Sequence, residues 1–463
     1  MHPRRLLFAL LLAGALPAFS CGGGATQRPA APSAAQVSVS PTAPLASTPA
    51  ASTAGGRLFV RVASSPAGRI DVLDAASGAV VRELPDGVLS PDGETLFTVD
   101  SSGTQSVVRA IATDSGATLH EQALAGGYRL PVVELDGTPG GLSPNGRWLA
   151  LVAAATDSYS AQQSDLAVLD ARFATPLRLV HLAGSFTFDA LSDDGASLFL
   201  IERTHPEQTG SLDYRVRRYD LAAGALDPTV VVEKGGPEEM RGLRLTAVAA
   251  PGGDALYSLY TNGADGAFVH ALSLSGRFAV CIDLPNPPAP TPAAGSEAQE
   301  DLRLAWSLAL TTDGRTLYAA NSASGQIVVI DLNQYSVRRS AMLSLAPRRP
   351  DGPLAQLVHW LAPVRAQAKQ VMHGGAALSA DGGTLYVAGA GGVLAVDTGT
   401  LRVRGRLLAG RPIAGLRLSA DGSVLYALPA GDRNEIAVLD LPAGRTLTPL
   451  RLDAQPQRIW AVR

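Results

Sequence analysis

Short apolar runs alternate along most of the chain with turns built from Asp, Gly, Ser and Pro, and the alternation repeats as a unit. One apolar run enters a turn of the S-P-D-G kind, and a second leaves it through Leu-Tyr or Leu-Phe. The copies are "LSPDGETLF" from Leu89, "LSPNGRWLA" from Leu142, "LSDDGASLF" from Leu191, "AAPGGDALY" from Ala249, "LTTDGRTLY" from Leu310, "LSADGGTLY" from Leu378 and "LSADGSVLY" from Leu418, with an incomplete eighth, "RLFV", from Arg57. A further Val/Leu/Ile-rich run closes on Asp74, Asp170, Asp331, Asp397 and Asp440. Runs this apolar, bounded by turn residues, predict strands buried on both faces. In the turns, Asp bonds its own backbone and Gly supplies positive φ, so the Asp array (Asp92, Asp194, Asp313, Asp381, Asp421) reads as turn chemistry rather than as a row of catalytic carboxylates. A multi-strand repeat of roughly 40–70 residues predicts an all-β fold, a β-propeller.

Each unit divides into strands A to D. Strand A ends at the S-P-D-G turn, B carries the Leu-Tyr/Phe end, C ends on the Asp, and D follows a short turn. Counting B–C–D units gives eight four-stranded blades, starting near Leu58, Thr95, Trp148, Leu198, Leu256, Leu317, Leu385 and Leu425. Seven blades remain open if the degenerate unit 249–284 pairs irregularly. The first unit lacks an A strand and the final "RIWAVR" (458–463) is an A strand with nothing after it, so the N- and C-terminal strands are expected to share a blade and close the ring. The A–B and C–D turns are short, whereas the B–C and D–A connections vary, which places the long ones on one face. These are 126–139, 285–300 and 346–374 between blades, and 156–164 and 204–213 within them. Residues 285–300, rich in Pro and Ala, read as disordered. Residues 346–374 carry apolar positions at helical spacing (Leu354, Leu357, Val358, Leu361) and read as a rim helix, or as a lid or docking element using His359 and Trp360.

The lines "TLYAANSASGQIVVIDLNQYSVRRS" (316–340), "TLYVAGAGGVLAVDTGTLRVRGRLLAG" (384–410) and "EIAVLDLPAGRTLTPL" (435–450) resemble the YVTN-type propeller repeats of exported bacterial and archaeal proteins. That resemblance implies the fold and says little about activity, because such repeats are mainly scaffold.

The N-terminus has its own pattern. Arg4 and Arg5 precede an apolar run, Leu6 to Leu16, too short to span a bilayer, and small residues Ala18 and Ser20 lead to Cys21. Residues 1–20 resemble a bacterial lipoprotein signal peptide, which implies lipidation of Cys21. Ordinary cleavage at the same bond would instead give a secreted protein. Residues 21–56 are almost wholly Ala, Pro, Ser, Thr and Gly and read as a tether, and 57–463 as the propeller. The expected location is therefore outside the membrane, as a lipoprotein or secreted.

Composition narrows the chemistry. A formal charge of −3 over 463 residues gives no basis for nucleic-acid binding. Two cysteines, Cys21 and Cys281, cannot build a disulfide framework or a structural zinc site, and Cys281 reads as a small buried apolar group. None of the seven histidines sits in a metal motif. His120, His181 and His270 fall in strands, whereas His205, His359 and His373 fall in long connections. The A strands line the channel and bring Arg244, Arg417 and Arg458 towards it, with Asp189 their only acid. Pairing with neighbouring carboxylates is one reading of these arginines, and a cationic mouth for an anionic ligand is the other. The candidate ligand-binding residues are thus His205, His359, Trp360, His373, Arg244, Arg417 and Arg458, with no catalytic set, no metal site and no cofactor expected. The reading is a monomeric, non-catalytic envelope scaffold that binds a protein or a small anionic ligand. The alternative is a lactonase-like hydrolase using the loop histidines.

Overall fold

The computed structural model describes residues 56–64, 68–156, 158, 160–208, 211–232, 238–262, 266–286, 303–344, 375–431 and 433–463. Eight antiparallel sheets follow one another around a ring, each with the order A-B-C-D from the centre outward. Blade 1 is the composite one. Its strands B, C and D are Arg57–Val62, Arg69–Asp74 and Val80–Pro85, and its strand A is the C-terminal Pro456–Val462. Strands A and B pair from Leu58 opposite Val462 to Val62 opposite Pro456, so the two ends of the chain close the ring. The unit 249–284 is a regular blade, blade 5, and the count is eight.

Burial explains why the apolar runs lack alternation. The B and C strands are covered on both faces: Trp148–Ala153, Ser197–Arg203 and Gln326–Asp331 are buried almost throughout. Their side chains fill the seams between adjacent blades, as where Val168 and Leu166 of blade 3 meet Phe188, Leu198 and Leu200 of blade 4. The D strands differ. Thr118–Ala125 and Ser336–Met342 are largely exposed and carry His120, Glu121, Arg338 and Arg339, charges that discourage edge-to-edge pairing at the rim.

The turns are built as their residues dictate. In blade 8, Asp421 Oδ1 accepts the Ser423 amide at 3.0 Å and the Ser419 hydroxyl at 2.6 Å, and Gly422 takes φ +71°. The same bonds recur at Asp92, Asp194, Asp313 and Asp381. These contacts, first the Ser419 bond and then the Ser423 amide, hold the Asp421 carboxyl at a pKa of about 2. Blades 4 and 8 have a D strand in two pieces. In blade 4, Ala225–Val230 and Met240–Arg241 both pair with strand C, Asp213–Asp220.

Candidate functional site: the central channel

The inner strands are not uniform rungs. Bulges interrupt strand A of blade 4 between Phe188 and Ala190, of blade 5 between Arg244 and Thr246, and of blade 8 between Ile413 and Gly415. A bulge re-aims the side chain beside it, and Asp189 and Arg244 sit at two of them.

Blade 3 departs furthest. Residues 126–139 were expected to be a connection between blades on one face, but strand A begins at Tyr128–Arg129, paired with Ala153 and Val152 of strand B. The chain then leaves the sheet and resumes pairing at Leu142 opposite Leu149. The excursion is a small hairpin. The Val132–Pro139 bridge and the Val133 amide on the Thr138 carbonyl (3.0 Å) close it, and the Gly140 amide bonds the Pro131 carbonyl at 2.8 Å. It re-enters through Gly141 (φ +110°), where a Cβ would stand 2.4 Å from the Ala150 carbonyl oxygen. Only glycine fits there.

This hairpin reaches across the ring. Arg458, on strand A of blade 1, donates to Glu134, to Asp136 Oδ2 at 3.2 Å and to Thr138 Oγ1 at 2.8 Å. Glu134 Oε1 also accepts the Thr246 hydroxyl of blade 5 at 3.3 Å. One acidic segment of blade 3 therefore ties together blades 1 and 5, which lie opposite each other. Burial works against the Arg458 charge, but Glu134 and Asp136 outweigh it and raise the guanidinium's pKa.

The three channel arginines thus have different surroundings. Arg458 is neutralised by the hairpin. Arg244 donates to Asp189 Oδ1 at 2.8 Å, and that carboxyl is almost fully buried. Burial raises the Asp189 pKa and the Arg244 charge opposes the rise. Arg417 bonds the Ile459 carbonyl through Nε at 3.3 Å, and no carboxylate of the described residues is within ion-pairing distance of it. Its side chain is exposed, yet the protein around it costs it hydration, which together with Arg458 pushes its pKa down, while Glu134 acts the other way.

The histidines do not converge. His205, at the B–C connection of blade 4, has Glu207 3.5 Å from Nδ1 and Glu239 3.6 Å from Nε2, all three at least partly exposed. That is a solvent-facing ion cluster with its carboxylates on opposite sides of the ring. His359, Trp360, His373 and Cys21 lie outside the described residues, as does the segment 346–374 that was read as a rim helix or docking element. Among the described residues no three His, Cys, Asp or Glu side chains form a metal-binding group. A cavity of about 220 Å³ opens between blades 8 and 1, lined by Ala75, Tyr426, Val438, Leu447 and Leu450. It sits beside the short A–B and C–D turns, away from the channel.

Glu134 and Asp136 were not singled out from sequence. The available signal was two acids between Pro131 and Pro139, within a segment read as a connection between blades.

The fold is an eight-bladed β-propeller. No family model matches the chain, and no curated protein matches it by sequence. Solved structures do match. The dihydro-heme d1 dehydrogenase NirN in complex with DHE aligns with a TM-score of 0.52 at 16% identity, over 88% of this chain and 74% of that one. Apo AztD from Citrobacter koseri aligns at 0.50 and 14% identity, over 88% and 97%, and a second AztD crystal structure at 0.50 and 16% over the same shares. At such identities the likeness is one of fold.

Proposed function

We propose that the protein is a binding or scaffold propeller of the cell envelope, exported and anchored through Cys21, which offers one face to a protein partner or a small anionic ligand. The observation that carries this reading is the use the chain makes of its own channel. Residues 131–140 span it and engage Arg458 and Thr246, so the surface left for recognition is the face where the connections are long. The A–B turns of blades 2 and 4 to 8 are all five residues, whereas the connections at the other face run from one residue (242) to the span 343–375. Long connections on a rigid scaffold are where binding groups are usually carried. Within the channel, Arg417 supports the anionic-ligand form of the reading, since an incoming anion would meet a guanidinium with no carboxylate of the described residues within ion-pairing distance. The NirN structure, a complex with DHE, supports use of this fold to hold a small ligand.

The test compares proteins retained from envelope extracts by the full chain and by a variant lacking 346–374. Partners retained equally by both would remove that segment as the docking element. Fractionation of a Cys21→Ser variant is expected to move the protein from membrane to soluble fractions. A stoichiometric divalent ion that is lost on replacing His205, with hydrolytic activity lost alongside, would favour the hydrolase alternative instead.

A further inference from the structure

The seam between blades 4 and 5 holds a group of side chains that the channel does not use. His270, on strand C of blade 5 (Ala267–Ser273), lies directly opposite Cys281 on strand D (Ala279–Asp283), and the pair faces blade 4. Cys281 Sγ is 3.8 Å from His270 Nδ1. Met240, on the second piece of blade 4's broken D strand, brings its Sδ to 3.6 Å from the same sulfur. A thiol, a thioether and an imidazole nitrogen thus meet across two blades.

We propose that Met240, His270 and Cys281 form a binding site for a soft monovalent metal ion of the copper(I) class. Geometry is the first argument. With metal–sulfur bonds near 2.3 Å and metal–nitrogen bonds near 2.0 Å, a three-coordinate ion needs ligand separations of about 4.0 Å between sulfurs and about 3.7 Å between sulfur and nitrogen. The observed 3.6 Å and 3.8 Å are within a few tenths of an ångström of those values.

Second, His270 is 1% exposed, its Nε2 has no hydrogen-bond partner, and its Nδ1 faces only sulfur. A buried polar ring without a good hydrogen bond is costly and calls for a reason. A metal bond supplies one for Nδ1, with the proton left on Nε2.

Third, two sulfurs and one nitrogen favour copper(I) over hard cations such as magnesium or calcium. On binding, the Cys281 thiol releases its proton to solvent and the thiolate joins the ion, so the site's net charge is unchanged. That suits a seam already holding the paired charges of Arg244 and Asp189. Cys281 is only half buried, which leaves a way in from the rim.

The test uses the full chain carrying Cys21→Ser, so that the other thiol takes no part. Copper(I), supplied anaerobically, is titrated in competition with bicinchoninate, and silver(I) serves as a redox-inert probe. One tightly held ion per chain is expected, with X-ray absorption showing two sulfur neighbours and one nitrogen. Cys281→Ser should abolish retention against the chelator. The volume-conserving Met240→Leu should weaken it by about tenfold or more, at least the loss that even an outer-shell partner brings. Circular dichroism and melting of both variants show whether the propeller is intact. Folded variants that bind as the parent does, or an absorption spectrum with only oxygen and nitrogen neighbours, would overturn the assignment.

Discussion

Single residues in this propeller are held by partners whose removal has calculable consequences. Asp189 and Arg244 form a buried pair, with the Asp189 side chain 1% exposed. Replacing Asp189 by Leu strands the guanidinium and is expected to cost about 3–5 kcal/mol, whereas Asp189→Leu combined with Arg244→Met should recover most of it, because a well-packed apolar pair often equals a buried ion pair. Chemical denaturation of the two single variants and the double variant measures this, and a double variant no more stable than Asp189→Leu would refute it. The turn carboxylates make a pH prediction. Asp421 titrates at about 2 in the folded protein against a usual 3.8. A depressed folded pKa gives stability that is present above the unfolded value and lost as pH falls through the folded one. Asp421→Ala should therefore lower stability at neutral pH by about 0.5–1.5 kcal/mol, the worth of the lost turn bonds. The gap to the parent should shrink between pH 4 and pH 2, as urea midpoints at stepped pH would show.

Elements were legible from sequence to the extent that their signal is local. The Asp-Gly turns, the Asp-terminated C strands and the closing strand "RIWAVR" are each marked within a few residues, and all stand where the pattern put them. The blade 3 hairpin was not legible, because its meaning lies in a partner more than three hundred positions away. Nothing near Glu134 says that Arg458 will face it. Cys281 was read as a small buried apolar group, and it packs partly buried against the apolar cluster of the seam, opposite His270; strand pairing is local, but the approach of Met240 from the next blade is not. The hairpin now carries its own prediction. Arg458→Met removes the cation shared by Glu134, whose side chain is 12% exposed, and Asp136, at 17%. The loss should approach the 3–5 kcal/mol of a broken buried pair, reduced by whatever water the channel admits. Glu134→Gln, which can still accept from Arg458 and Thr246, should lose less. Thermal melts rank the two variants, and the reverse order would show that the hairpin is held by packing rather than by charge.

At the scale of the whole molecule, the ring is held shut by one composite blade. The Arg57 amide donates to the Arg463 carbonyl at 2.8 Å, and the Arg463 amide to the Arg57 carbonyl at 2.8 Å, so the end of the chain lies beside the start of the first blade strand. Losing Pro456–Val462 would expose the inner edge of Arg57–Val62, four of whose six residues are buried, and leave an unpaired apolar strand of the kind that aggregates. Because successive blades touch mainly their neighbours, the position of the chain break should matter less than the presence of all the strands. A circular permutant makes the two ideas separable. Residue 463 is joined to residue 57 by a short Gly/Ser linker, residues 1–56 being left out, and new ends are opened at the exposed turn between Asp381 and Gly382, where a Cβ on the glycine would meet no atom within 4 Å. This places the seam between strands A and B of blade 7, repeating the arrangement of blade 1. The permutant should be monomeric with the parent's circular dichroism, and should melt cooperatively within several degrees of it, whereas the chain truncated at residue 455 should aggregate. A permutant that fails to fold while blade 1 is covalently closed would mean that the natural seam does more than complete a blade, and that folding depends on the order in which the strands arrive.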